Sequence, residues 1–161
     1  GAYDGVLSRM IKDLKYRKKK SVLPYLTYFI ERAGYMPPED IDFAVPVPLH
    51  VDKERQRGFN QAEEIFRPWL AVHGVPLQRV LQRKYATKPM YGLKGRERAE
   101  NLRDAFSLTG GVCIQGKNIL LIDDIFTTGA TARACRRVLE TAGAGRVALL
   151  VLASNADKYT L

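Results

Sequence analysis

The sequence predicts one α/β domain with an open, mostly parallel sheet and helices on both faces. Residues 119–123 and 146–153 are apolar runs of strand length, and residues 129–142 between them have helical spacing. A strand, a helix and a second strand in succession form a βαβ unit, in which the two strands run parallel. A length of 161 residues fits a single domain over residues 1–161.

The other elements follow from apolar spacing and from glycines and prolines. Helices are predicted over residues 5–16, 24–33 and 60–72, and strands over residues 43–48, 77–81 and 106–108. Residues 1–40 are thus expected to form a helical N-terminal segment of the domain. Asn60 is the expected N-cap of its helix. Residues 49–59 and 84–104 are predicted to be loops.

The charge balance favours a polyanionic partner. Lys and Arg number 26 against 17 Asp and Glu, which gives a net charge of +9. Phosphate-bearing small molecules and nucleic acid would both be attracted by this field. No apolar run approaches the ~18 residues of a membrane span, so no membrane insertion is expected. The N-terminus also lacks a secretory signal, and a cytoplasmic location is expected.

The two cysteines do not form a zinc motif. Cys113 and Cys135 lie far apart, without a C-x-x-C pair or a His at ligand spacing. We predict two reduced core thiols in a cytosolic protein.

A candidate phosphate site follows the strand at residues 119–122. Asp123 and Asp124 come directly after it, and the sequence TTGAT at residues 127–131 opens the next helix. The carboxyl end of a parallel strand is where such folds bind ligands, and the free N–H groups of a helix start attract phosphate.

Each side chain of this segment suits a ribose 5-phosphate. The predicted 5-phosphate site comprises Thr127, Thr128, Gly129, Ala130 and Thr131. Threonine supplies hydroxyl donors, and glycine allows close backbone approach. Asp123 and Asp124 are acceptors for the two hydroxyls of a vicinal diol. The alternative is an ordinary strand-to-helix turn capped by Thr and Asp.

This segment resembles the motif with which type I phosphoribosyltransferases bind 5-phosphoribosyl-1-pyrophosphate (PRPP). VPVPLHVDKERQRGFNQAE at residues 45–63 and TKPMYGLKGRERAENLRDAF at residues 87–106 are similar to the ComF family of competence-associated phosphoribosyltransferase-like proteins. YDG at residues 3–5 and LKYR at residues 14–17 match the usual entry into that domain. Phe126 departs from the aliphatic residue more usual there, which should alter packing only. The four-cysteine zinc module of many full-length relatives is not expected within residues 1–161.

The resemblance implies a pyrophosphate-binding loop after the first strand. Its residues would be Val47, Pro48, Leu49, His50, Lys53, Arg55 and Arg57. Arginine suits a bidentate grip on phosphate oxygens. The alternative is a solvated basic surface loop, in which His50 is merely a polar residue at the strand end.

Residues 84–104 resemble the mobile loop that such enzymes close over PRPP. Its cations include Lys84, Lys88, Arg96 and Arg98. Loss of pyrophosphate leaves an oxocarbenium-like ribose, and a charged lid would exclude water. The alternative is a surface helical turn held by local ion pairs.

Two functions are compatible with the resemblance. The first is a Mg²⁺-dependent pentosyltransferase that transfers, or once transferred, a phosphoribosyl group to an unidentified acceptor and releases pyrophosphate. Asp123 and Asp124 would be catalytic, and Mg²⁺ would be held by PRPP, with either acid contributing through water. The second is a non-catalytic DNA-uptake protein that binds single-stranded DNA and a competence helicase.

The basic stretch at residues 12–20, with Tyr16 inside it, suits single-stranded DNA or is a solvated helix end. The oligomeric state stays open, with a dimer as one option.

Overall fold

Helices and strands alternate along most of the chain. The structure, a computed structural model, describes residues 5–84 and 104–154. The helices are α1 (Gly5–Arg17), α2 (Leu23–Arg32), α3 (Val51–Arg57), α4 (Gln61–Val72) and α5 (Ala130–Thr141), with a 3₁₀ turn at Lys20–Val22. The strands are β1 (Phe43–Pro46), β2 (Leu81–Arg83), β3 (Phe106–Leu108), β4 (Ile119–Phe126) and β5 (Val147–Ser154). Within these residues, no helix is long and apolar enough to cross a membrane.

The main sheet is parallel and has β4 at its centre. The strand order is β1-β4-β5, and Ile119 of β4 is in register with Phe43 of β1 and Val147 of β5. Strands β2 and β3 form a separate antiparallel pair. The predicted α/β class with a mostly parallel sheet is confirmed.

Alternate residues of β4 pack against different helical layers. Leu120 and Ile122 belong to a core shared with α1, α2 and α4, whereas Ile119 and Leu121 belong to a core shared with α5. Successive side chains of a strand point to opposite faces, so a central strand must be apolar on both. Helices therefore cover both faces of the sheet.

The N-terminal helices are packed into the first of these cores. Ile11 and Leu14 of α1 and Leu26 of α2 are fully buried, together with Phe66 and Trp69 of α4. Side chains buried to this degree contribute about 1.5–3 kcal/mol each relative to exposure. This packing fixes the position of α1 relative to β4.

The loop predicted over residues 49–59 is wrong, because it contains α3. His50 is the N-cap and its side chain accepts from the backbone N–H of Asp52, while Gly58 ends the helix with φ +86°. None of the residues of α3 is buried. Without a buried face there is no apolar periodicity, so only the capping residues indicate the helix.

Three strand boundaries differ from the predictions over residues 77–81, 43–48 and 119–123. The last of these strands continues to Phe126, so Asp123 and Asp124 lie within β4 and not at its end. Leu77 makes a single parallel bridge to Ala44, and the actual strand begins at Leu81. β1 ends at Pro46, two residues earlier than predicted, although the backbone N–H of Val47 still donates to Ile122 O. The prediction that both cysteines lie in the core is correct for Cys135, which is buried. It is wrong for Cys113, which is exposed in the turn before β4.

The predicted loop over residues 84–104 lies almost wholly outside the described residues, with Lys88, Arg96 and Arg98 among those not described. The backbone N–H of Lys84, where this segment begins, donates to Ala105 O, just beyond its end, at 2.8 Å.

Candidate functional site

The two acids of β4 interact with each other but have different other neighbours. Asp124 faces α1 and α4 and is 2% exposed, whereas Asp123 is partly exposed and lies on the side of Cys135 in α5. This divergence continues the alternation of the four apolar residues before them. The backbone N–H of Asp124 donates to Asp123 Oδ1 at 2.9 Å, which links the two positions.

Asp124 is held by two neighbouring helices. Lys15 Nζ of α1 forms an ion pair with Asp124 Oδ2, and Gln61 Nε2 of α4 donates to Asp124 Oδ1 at 3.4 Å. The side chains of Lys15 and Asp124 are 18% and 4% exposed. Asp124 is therefore an interior carboxylate, and Asp123 is the acid that a ligand reaches first.

Asp123 occupies an environment that disfavours its charge. Burial, and next the Asp124 carboxylate, raise the pKa of Asp123 well above its usual value, while Lys15 acts in the opposite direction. Burial, followed by the charge of Asp123, also raises the pKa of the Cys135 thiol. A hydroxyl or cation placed against Asp123 would relieve this penalty.

The predicted phosphate segment lies at the start of α5, directly beyond β4. Thr127 and Thr128 are exposed, Gly129 is buried, and Ala130 and Thr131 are partly buried. The backbone N–H of Ala130 donates to Thr128 Oγ1 at 3.4 Å, and the first turn of α5 contains no acidic residue. The positive end of the helix dipole is thus not offset by a local carboxylate.

Gly129 is required by the geometry of this turn. Its φ is +71°, and a Cβ there would lie 2.6 Å from the Phe126 ring and 2.7 Å from Arg133 Nη1. Arg133 Nη2 also donates to Thr128 O at 2.8 Å. Phe126 and Arg133 therefore cover one side of the turn, and the sequence prediction had given Phe126 a packing role only.

The segment predicted to bind pyrophosphate begins beside the acids. The backbone N–H of Val47 donates to Ile122 O at 2.9 Å, one residue before Asp123. Asn60 Nδ2 donates to Val47 O at 2.9 Å and fixes the segment from the α4 side. The structure thus brings Val47, and with it the start of Pro48-Leu49-His50, to the edge of the sheet where the acids lie.

The three cations predicted for the same loop lie on α3. Lys53 and Arg57 line a cleft of about 230 Å³ together with Lys15, Tyr16, Lys18 and Gln56, whereas Arg55 is exposed. Arg57 Nη1 donates to Gln61 Oε1. Arg57, Gln61, Asp124 and Lys15 are therefore connected by successive polar contacts.

Sequence reasoning did not assign two members of this chain of contacts. Gln61 follows an N-cap and is 6% exposed, and Lys15 is part of LKYR and of the basic stretch at residues 12–20, neither of which places it beside the acids. A buried amide or cation next to a predicted site cannot be identified without knowing which helices pack against that site.

Protein ligands for a metal are few in this region. No group of three or more His, Cys, Asp or Glu residues within 5–84 and 104–154 could hold a metal ion. The partly exposed Asp123 is a single hard oxygen donor beside the segment predicted to bind pyrophosphate. Such a donor set fits Mg²⁺ that takes most of its ligands from a diphosphate and water.

Known proteins resemble this chain over most of its length. No protein-family model matches the chain. It is 30% identical over 156 residues to the DNA utilization protein YhgH of Escherichia coli K12, covering 90% of this chain and 66% of that protein. It is also 30% identical over 152 residues to the competence protein ComFC of Bacillus subtilis 168, covering 93% and 60%. The chain is thus similar over most of its length to proteins of the ComF family, and it spans less than two thirds of the length of these relatives.

Solved structures also share the fold of this chain. The chain matches the glutamic acid mutant from an analysis of an invariant aspartic acid in HPRTs, with a TM-score of 0.51 and 13% identity, over 88% of this chain and 72% of that one. It also matches the allosteric regulatory enzyme of purine biosynthesis, with a TM-score of 0.50 and 19% identity, over 82% and 25%. The fold is that of the type I phosphoribosyltransferases.

Proposed function

We propose that this chain binds PRPP with Mg²⁺ and transfers the phosphoribosyl group to an acceptor, with release of pyrophosphate. The observation that carries the proposal is the contiguity of three features along the second half of β4 and directly beyond it. Asp123 is partly exposed, the start of α5 follows within a few residues, and Val47 lies alongside through its bond to Ile122.

The 5-phosphate would bind at residues 127–131. The first N–H groups of a helix have no partner within it, and α5 begins directly after Thr127, Thr128 and Gly129. The exposed hydroxyls of Thr127 and Thr128 add two donors. Gly129 allows the positive φ of +71° on which this turn depends.

The ribose would be held by Asp123. Its carboxylate accepts hydrogen bonds from the ribose hydroxyls, and Asp124 supports it from inside through the backbone N–H bond to Asp123 Oδ1. This assignment refines the sequence prediction, in which both acids contact the sugar. The difference arises because Asp124 already engages Lys15 and Gln61.

Pyrophosphate would lie along the segment that starts at Val47. Mg²⁺, when bound, would neutralise the negative charge that develops on the leaving diphosphate. The bond from C1 of the ribose to the diphosphate oxygen breaks, and a lone pair of the acceptor forms the new bond to C1. Asp123 stabilises the positive charge of the oxocarbenium-like ribose between these events, so no protein nucleophile is required. Closure of a lid over residues 84–104 stays a prediction.

Calorimetry with Mg²⁺ and PRPP tests the proposed 5-phosphate site. The test compares variants of two threonines, one just before α5 and one at the far end of that helix. Thr128→Val removes a hydroxyl donor to the phosphate, and we expect affinity to fall about tenfold, as for a lost hydrogen bond to a charged group. Thr141→Val, at the exposed far end of α5, is the matched control and should bind like the unmodified chain. Absence of PRPP binding by the unmodified chain refutes the proposal. If the unmodified chain binds PRPP, measuring the release of pyrophosphate with each of a panel of bases and amines would identify the acceptor class.

A second candidate function is supported by the cleft between α1 and α3. Four cations, Lys15, Lys18, Lys53 and Arg57, line it, and Tyr16 is 77% exposed beside them. Cations that follow a phosphate backbone and an aromatic ring for base stacking are the means by which proteins bind single strands. We propose this cleft as the DNA contact of a DNA-uptake protein, which the names of YhgH and ComFC also suggest. A competence helicase as its partner is part of the same proposal.

Titration of labelled single-stranded DNA at increasing salt tests the second candidate. Tyr16→Ala should weaken binding by about 1–3 kcal/mol. Tyr25→Ala, which removes a 64% exposed tyrosine from α2, should leave it unchanged. No binding even at low ionic strength would eliminate this function.

A further inference from the structure

Helix α1 contributes a side chain to the acid pair. Lys15 lies next to Leu14, which is fully buried, and Ile11 one turn earlier is also fully buried. These two anchors fix the side of α1 that faces β4, and the ammonium of Lys15 reaches Asp124 Oδ2. The position of Lys15 is therefore set by core packing rather than by a flexible loop.

Asp124 needs a cation at this place. A carboxylate that is 2% exposed is costly unless a positive charge and hydrogen bonds replace its water. Gln61 is neutral and donates at 3.4 Å, so it supplies only a small part of this compensation. Lys15 supplies the opposite charge.

The placement of Asp124 is passed on to Asp123. The backbone N–H of Asp124 donates to Asp123 Oδ1, so a shift of Asp124 also shifts the partly exposed carboxylate.

We propose that Lys15 is a positioning residue of the phosphoribosyl site, which holds Asp124 in place so that Asp123 is presented to the ribose hydroxyls. Helix α1 is then part of the ribose side of the site. This inference rests on the proposed binding of PRPP. It predicts an effect on ligands that contain the ribose and none on pyrophosphate, since Lys15 acts through the acids.

The test compares two ligands, Mg²⁺ with PRPP and Mg²⁺ with pyrophosphate, by calorimetry. We expect Lys15→Met to weaken PRPP binding about tenfold and to change pyrophosphate binding by less than about twofold. Lys15→Arg retains the charge and should recover most of the lost affinity. Lys12→Met removes an exposed lysine of the same helix and should change neither ligand.

A double variant covers the case in which Lys15→Met does not fold, since removal of one partner leaves an uncompensated buried charge. Lys15→Met combined with Asp124→Asn removes both charges. If Lys15 acts through Asp124, the double variant binds PRPP as Asp124→Asn does.

Three results would overturn the inference while leaving PRPP binding intact. The first is an equal loss of affinity for PRPP and pyrophosphate in Lys15→Met, which indicates direct contact of Lys15 with the diphosphate. The second is no loss of affinity for either ligand in a folded Lys15→Met variant. The third is a double variant that binds PRPP clearly more weakly than Asp124→Asn does. If the unmodified chain does not bind PRPP at all, the proposed function fails and the inference fails with it.

Discussion

Asp123 and Asp124 are joined by a hydrogen bond of 2.9 Å from the backbone N–H of Asp124 to Asp123 Oδ1. Asp124 is paired inside the protein with Lys15, whereas Asp123 is partly exposed within β4. Two adjacent carboxylates of the same type thus have different environments. The predictions below follow from this division and from the turn beyond it.

Gly129 should tolerate alanine less well than a glycine of the same backbone conformation in open space. Gly129→Ala places a Cβ against the Phe126 ring and Arg133, in addition to the cost of about 1–2 kcal/mol for a left-handed non-glycine residue. Gly116 has φ +70° and no atom near its Cβ position, so Gly116→Ala bears the conformational cost alone. Urea denaturation of both variants measures the difference. Equal losses of stability would show that the contacts around Gly129 are easily rearranged.

Asn60 should stabilise the site by two separate hydrogen bonds. Its side chain accepts from the backbone N–H of Glu63 at 3.2 Å as the N-cap of α4, and donates to Val47 O at 2.9 Å. We expect Asn60→Ala to lower the free energy of unfolding by about 2–4 kcal/mol, since it removes a cap and leaves a buried carbonyl without that donor.

Asn60→Ser separates these two contributions. Serine keeps a capping oxygen but is too short to reach Val47, so about half of the loss should remain. Full recovery of stability by serine would show that the bond to Val47 contributes nothing.

Stability should fall with rising pH because of Asp123. Burial and the Asp124 carboxylate raise the pKa of Asp123 above the value of 3.8 for an unperturbed Asp. Between that value and the higher pKa of the folded state, the folded chain holds more protons than the unfolded chain, so the free energy of unfolding decreases as pH rises. Asp123→Asn cannot ionise, and we expect it to be more stable than the unmodified chain near pH 7, with the difference shrinking toward about pH 4.

Asp42 provides a control of opposite sign. Hydrogen bonds from the backbone of Asn118 and from Lys117 lower the pKa of Asp42, so its contribution is present above the ordinary pKa and is lost as pH falls through the lower one. Asp42→Asn should therefore be less stable than the unmodified chain near neutral pH. Denaturation curves at several pH values measure both variants. A stability difference for Asp123→Asn that does not depend on pH would contradict the environment described for this acid.

The parts of the fold that the sequence predicts best have buried faces. Four apolar residues before Asp123 and the helical spacing after Gly129 correspond directly to β4 and α5, because burial on both faces of a central strand leaves a continuous apolar run. The α3 helix has no buried residue, and for that reason its apolar pattern is missing.

The candidate site is predictable only in part. The acids and the TTGAT turn are contiguous in sequence, so their spacing alone indicates a site. The ion pair between Lys15 and Asp124 depends on how α1 packs against β4, which local patterns do not contain. Both cysteines looked alike in sequence, yet the turn around Cys113 exposes it and the helix α5 buries Cys135.

The most direct test of the proposed role of Asp123 compares the affinity of Asp123→Asn for Mg²⁺ with PRPP and its affinity for Mg²⁺ with pyrophosphate. Asp40→Asn, at an exposed aspartate that pairs with Arg146, is the control. We predict at least about tenfold weaker PRPP binding for Asp123→Asn, as expected for a lost hydrogen bond to a charged acceptor, with pyrophosphate affinity and the control unchanged. PRPP affinity equal to that of the unmodified chain would contradict the assignment of Asp123 to the ribose.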